Sequence, residues 1–238
     1  MSDPALIWSY LSREPLLWLT ATLLAYWAGD AAFRASGRTP FVNPVLVAVI
    51  LLALVLWATG TGYPEYFEGA KFVHFMLGPA TVALAVPLYG NLAAVRRAAL
   101  PMLAALFAGS FTAVFSALAI AWAMGVEPTV LASLAPKSAT APVAIGISEA
   151  MGGAPTLTAV LVLLTGIFGA VIATPLLNAL GLTDWRARGF AVGVAAHGIG
   201  TARAFQVHET AGAFAGIGMG LNAVLTALLA PWVLSFFV

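Results

Sequence analysis

The chain has no cysteine, three histidines and only 8% charged residues, against about 25% in an ordinary soluble domain. Without cysteine there is no disulfide, no thiolate nucleophile and no Cys-ligated metal. Ten basic and nine acidic residues leave a formal net charge of +1, so no basic patch points to nucleic acid. His74, His197 and His208 lack metal-ligand spacing, and HExxH, Walker A, GxSxG and paired intramembrane aspartate signatures are missing. No enzyme activity, cofactor or metal is therefore expected. The start, Met1-Ser2-Asp3-Pro4, lacks the basic n-region of a signal peptide, so the first apolar run is expected to remain as an anchor.

What is abundant is apolar surface: 62% of residues are hydrophobic and the mean hydropathy is +1.00. A soluble domain of 238 residues has no core large enough to hide that much. The apolar runs are long and continuous, unlike the alternating short strands of a barrel. The expected class is an all-α polytopic protein of the cell (inner) membrane. Runs of spanning length are 16–33, 44–59, 98–124, 156–180 and 213–237, and 71–88, 129–151 and 189–209 are apolar but interrupted. That makes seven or eight membrane segments, several broken or re-entrant. Asn43-Pro44 reads as an N-cap followed by proline at the first helical position. The expected organisation is a peripheral helix in 1–42 and a membrane domain in 43–238.

Arginines set the orientation. Arg34 and Arg38, Arg96 and Arg97, and Arg186 and Arg188 lie in three different loops. All three loops can be cytoplasmic only if one segment between Arg97 and Arg186 fails to cross. Segment 129–151, interrupted at its centre, is the candidate re-entrant hairpin. The triplets 44–124 and 156–237 would then have opposite orientations, the pattern of an inverted repeat.

Two stretches carry a cation beside helix-breaking residues. In 129–151, Pro136 and Pro142 flank Lys137, Ser138 and Thr140. Unwinding there frees backbone amides, and a half-helix starting near Pro142 aims its positive end at the gap. The alternative is a kinked helix with Lys137 snorkelling to the interface. In 189–209, Gly193, Gly198 and Gly200 precede Thr201 and Arg203, whose planar fork suits a carboxylate. His197 has two readings, a proton-coupling group or a neutral core residue holding helix ends together. Pro79 and Thr81 in a third interrupted segment could serve the same cavity, or small residues there could serve helix packing. Asn222 and Thr226 read as interhelical glue, and Asp30 with Arg34 as an i,i+4 pair.

The residues Leu134-Ala135-Pro136-Lys137-Ser138-Ala139-Thr140-Ala141-Pro142 resemble the LPKS-x-T-x-P signature of the LrgB/CidB family. His197-Gly198-Ile199-Gly200-Thr201-Ala202-Arg203 resembles its S-H-G-I-G-T-A-R signature, with Ala196 in place of serine. The similarity runs from about Asn43 to Val233. The resemblance implies either of two roles. One is secondary transport of small monocarboxylates (glycolate, glycerate, pyruvate or lactate), since the plastid glycolate/glycerate translocator contains such a domain. The other is a holin/antiholin-like role in murein hydrolase export and cell lysis. It also implies a smaller LrgA/CidA-type partner. The residue chemistry favours the carrier, proton-coupled through His197 and working as a homodimer by analogy with elevator carriers. Lys137 and Arg203 would attract the carboxylate, with Ser138, Thr140, Thr201 and Thr81 completing the site. A regulatory membrane subunit without transport is the third reading.

Overall fold

The structure is a computed structural model that describes residues 14–39, 41–76 and 92–238, together with Pro79, Ala83 and Tyr89. Among the described residues it holds ten helices and no strand. The chain forms two compact units, Met1–Ala83 and Leu84–Val238. Within the first unit, the helix that starts at Pro44 packs on the helix that precedes it.

In the first unit, α1 (Pro15–Ala35) starts at a proline and carries Arg34 in its last turn, where it pairs with Asp30 at 2.7 Å. Trp18, Ala25, Gly29 and Phe33 recur on one side of it and form its buried face. The second helix, α2 (Pro44–Thr59), begins as its sequence dictates. The Asn43 side chain accepts from the amides of Val45 and Leu46, and Gly60 closes the other end in the left-handed conformation at φ 66°. Only Pro44 and Ala48 of α2 are buried, while Val49, Ile50, Leu51, Leu54, Val55 and Trp57 are exposed. A third helix, α3 (Tyr63–Phe75), starts between two expected membrane segments and runs into the first residues of the interrupted segment 71–88. Pro64 in its first turn fixes the start, and Glu68 pairs with Lys71 one turn on.

The second unit holds α4 (Leu92–Arg97), α5 (Ala99–Ala123), α6 (Pro128–Leu134), α7 (Ala141–Ala150), α8 (Pro155–Ala179), α9 (Trp185–Val207) and α10 (Glu209–Leu234). Among the described residues four helices, α1, α5, α8 and α10, are long and apolar enough to cross a bilayer. At 25 residues, α5 and α8 each extend about 37 Å at 1.5 Å per residue, enough for a hydrocarbon core of about 30 Å. Their two faces differ in an orderly way. On α5, Met102, Leu106, Ser110, Val114 and Leu118 repeat every fourth residue and are buried. On α8, Val160, Leu164, Phe168, Ile172 and Leu176 repeat the same spacing and are exposed. A continuous stripe of large apolar side chains facing outward fits lipid, since soluble surfaces avoid such patches. These features make the chain a multi-pass membrane protein.

The centre of the unit is α10, more than half buried along its apolar length. It packs most extensively on α9. Contact is close because Gly189 and Gly193 lie directly against the carbonyls of Ala211 and Ala215, where any Cβ would collide with backbone.

The expected interruption in 129–151 is present: α6 and α7 are separated by non-helical residues 135–140. The chain also turns back on itself there. Gly153 lies against both the Ser133 amide and the Ser148 hydroxyl, groups that a continuous helix would hold about 22 Å apart. Ser133 Oγ accepts from the Ala154 amide at 2.8 Å, and Thr158 Oγ1 donates to Ser148 Oγ at 2.7 Å. These bonds staple both half-helices to the start of α8.

Candidate functional site

At the turn between α6 and α7, Pro136 removes a donor, and Pro142 sits in the first turn of α7 after the extended Thr140. Lys137 is half-buried in this turn, and its Nζ donates to Ser138 Oγ at 3.3 Å. Ser138 is buried, and its carbonyl accepts from Asn222 Nδ2 of α10 at 3.0 Å. The Asn222 carbonyl oxygen in turn accepts from Ser110 Oγ of α5 at 2.6 Å and Thr226 Oγ1 at 3.3 Å. One amide thus ties α5, α10 and the broken segment together in a buried network. Both its oxygen and its nitrogen are used, as burial away from water demands.

The second break is displaced from where glycine pointed. Gly198 and Gly200 both lie within the helical residues of α9, and the non-helical residues are Ala196 (φ −128°, ψ 19°) and His197 (φ 40°, ψ −138°). The reason is the partner surface on α8. Gly166 leaves room for the imidazole and Gly169 for the Ala196 methyl. His197 Nε2 then reaches the Val162 carbonyl at 2.9 Å. A carbonyl only accepts, so Nε2 carries the hydrogen. Gly200 serves the break differently: a Cβ there would sit 2.6 Å from that of Ala196. Thr201 Oγ1 is spent on the His197 carbonyl at 2.8 Å.

The structure therefore joins Lys137 to Ser138, and Val162, whose carbonyl meets His197, packs with Ala139 of the same turn. Thr140 stands beside it as the residue preceding α7. Arg203 is buried on α9, six residues beyond His197. It lines a small cavity of about 20 Å³ with Trp185, Arg188 and Thr174, whose lining does not include Lys137. Its Nη1 donates to Gln206 Oε1 at 3.4 Å. Pro79 is itself helical, and Thr81 lies outside the described residues.

Three residues gain roles that the sequence reading did not give them. Ser110 is buried and bonded to Asn222, and the only hint was a serine on the buried face of an apolar helix. Arg188, read as a topology signal, is buried: it donates to Asn178 Oδ1 at 2.7 Å and to the Leu182 carbonyl, and its guanidinium lies 4.7 Å from the Trp185 ring centre. Trp185 also stacks on His208 with centroids 4.8 Å apart. At the exposed start of α9, Arg186 holds the Asp184 carboxyl down at about 2 by a two-pronged ion pair.

Comparison with known proteins gives this architecture its relatives. The chain matches the LrgB-like family over residues 22–236, so the similarity begins inside α1. It is 31% identical to the holin-like protein CidB of Staphylococcus epidermidis, over 94% of this chain and 97% of that one. To the antiholin-like protein LrgB of Bacillus cereus it is 33% identical, over 94% and 98%. A Bacillus subtilis protein designated YwbG is 34% identical over 92% and 96%. No solved structure matches the chain. These relatives overturn the expected carboxylate carrier: the functional names they carry are holin-like and antiholin-like, not those of a transporter. Of the hydroxyls in that expectation, that of Thr201 is donated to the His197 carbonyl and that of Ser138 accepts from Lys137. On full-length similarity of this kind, the chain belongs to the LrgB-like family.

Proposed function

We propose that the chain is a holin-like or antiholin-like membrane protein that modulates murein hydrolase export and cell lysis, acting with a smaller LrgA/CidA-type partner. The observation that carries this is similarity along nearly the whole chain to proteins bearing those names. Such a role is non-enzymatic and calls for association within the bilayer. A homo-oligomer is part of the reading.

The reading includes a topology of seven or eight membrane segments in which α6 and α7 enter and leave on one side. Arg97 and Arg186 line the same groove, so α5 and α9 start at the same end. A chain that crosses in α5 and returns in α8 meets that condition if α6–α7 does not cross. The network of Lys137, Ser138 and Asn222 then sits at the inner turn of the hairpin. There it is the element whose opening would alter permeability.

The test is controlled expression in a bacterial host, with hydrolase activity in the medium read by zymography and a cytoplasmic enzyme read as a lysis control. Expression should raise hydrolase release if the protein is holin-like or lower it if antiholin-like, and Asn222→Leu should blunt the effect. Membrane-inserted protein that leaves both readouts at the level of empty vector refutes the proposal.

A further inference from the structure

Between α5 and α9 runs a groove of about 560 Å³ that the hydrogen-bonded network does not use. Small residues make its walls: Ala105, Gly109 and Ala113 on α5, and Ala191 and Ala195 on α9. Phe190 and Phe214 line it as well, and Arg97, Asp184 and Arg186 lie along it near the starts of the two helices. One end is thus charged and the remainder is apolar.

We infer that this groove seats one acyl chain of an anionic membrane phospholipid, with its phosphate against Arg97 and Arg186. Three observations carry this. First, the dimensions fit a single hydrocarbon chain. The apolar lining runs from Pro101 to Ala113 of α5 and from Ala187 to Ala195 of α9, about 18 and 12 Å, close to the ~15 Å depth of one leaflet. Its volume of about 560 Å³ lies in the range of clefts that hold a ligand the size of one hydrocarbon chain. Secondly, the charge at the mouth is complementary to phosphate. Asp184 is neutralised by its pairing with Arg186, and Arg97 has no ion-pair partner among the described residues. The mouth therefore carries one net positive charge, and basic pockets between membrane helices hold anionic headgroups. Thirdly, a helix start with arginines marks the level of the headgroups, which is where the phosphate must lie if the chain follows the groove inward. The inference stands apart from the holin-like reading, since it concerns what the bilayer supplies to the fold.

The full chain, reconstituted in nanodiscs of phosphatidylcholine with phosphatidylglycerol, is released into the gas phase and its retained lipid weighed by native mass spectrometry. Phosphatidylglycerol should be retained over phosphatidylcholine. Arg97→Gln should lower that retention about five-fold, and Ala105→Phe, which fills the groove, should abolish it. Ala191→Phe on the facing wall repeats the test where one variant fails to fold. Equal retention of the two lipids, or retention untouched by both groove-filling variants, overturns the proposal. So does efficient disulfide formation between copies carrying Ala105→Cys in this cysteine-free chain, which would make the occupant a helix of a second copy.

Discussion

Replacing Asn222 by leucine, a side chain of similar reach, removes three hydrogen bonds at once while keeping the site filled. The donors and acceptors left behind are not equivalent. Ser110 and Thr226 sit on helices and can turn to a carbonyl one turn back, as Ser116 and Thr165 already do in this fold. The Ser138 carbonyl lies in non-helical residues and has no such recourse. Hydrogen bonds between membrane helices average about 0.6 kcal/mol, and a buried acceptor stripped of its partner costs about 1–3 kcal/mol. Asn222→Leu should therefore destabilise by about 2 kcal/mol. Ser110→Ala, which leaves the amide bonded to Thr226 and Ser138, should cost about 0.6 kcal/mol. Reversible unfolding in mixed micelles, titrated with SDS, measures both. The double variant should cost no more than Asn222→Leu alone, because the serine bond is already gone. An Asn222→Leu variant within about 0.5 kcal/mol of wild type, set against the roughly 1 kcal/mol usual for point variants, would refute the network as a tie between α5, α10 and the broken segment. So would strict additivity of the pair.

Three further outcomes follow from the second break and the start of α9. Gly198→Ala should be tolerated, since its Cβ would meet only Met219 Sδ at 3.9 Å, whereas Gly200→Ala should lower the melting temperature clearly by pressing on Ala196 and Val192. His197→Gly should melt above His197→Ala by the equivalent of about 1 kcal/mol: both lose the bond to Val162, but only glycine relaxes at φ 40°. Asp184 has its carboxyl held at about 2, below the ordinary 3.8, so its contribution is present above pH ~4 and disappears as pH falls toward 2. Melting temperatures from pH 5 to 2.5 should fall slightly more steeply for wild type than for Asp184→Asn, the pair being exposed and hence weak.

How much of this was legible in the sequence depends on which kind of signal each element left. Helix α2 announced itself because its start and stop are local: an asparagine that bonds the next turn, a proline and a left-handed glycine. The interruption at 135–140 was equally visible, since two prolines restrict their own neighbourhood whatever surrounds them. The hairpin's closure was not, because Ser133, Ser148 and Thr158 read as ordinary small polar residues until the chain folds back and pairs them. Arg188 was misjudged for a related reason. Its burial is created by Trp185, Asn178 and the Leu182 carbonyl, partners that only the close of α8 brings within reach.

The break in α9 shows the limit most sharply. Glycine marks places where backbone can bend or approach, and the sequence offers Gly193, Gly198 and Gly200 without distinguishing the two uses. Packing distinguishes them. Gly193 admits the Ala215 backbone and Gly200 admits the Ala196 side chain, so both are occupied with close approach. The bend falls instead on a histidine, in a backbone region that costs about 1–3 kcal/mol for a residue with a Cβ. That cost is offset by the imidazole's bond to Val162 and by the recess that Gly166 leaves on α8. The information locating the break is thus carried thirty residues away, on the helix that receives it. A sequence window around His197 cannot contain it, but a Gly166→Ala variant can expose it. That substitution should displace the imidazole and weaken the break without touching α9, whereas a break intrinsic to the Ala196–Gly200 sequence would persist unchanged, as read by proteolytic susceptibility near His197.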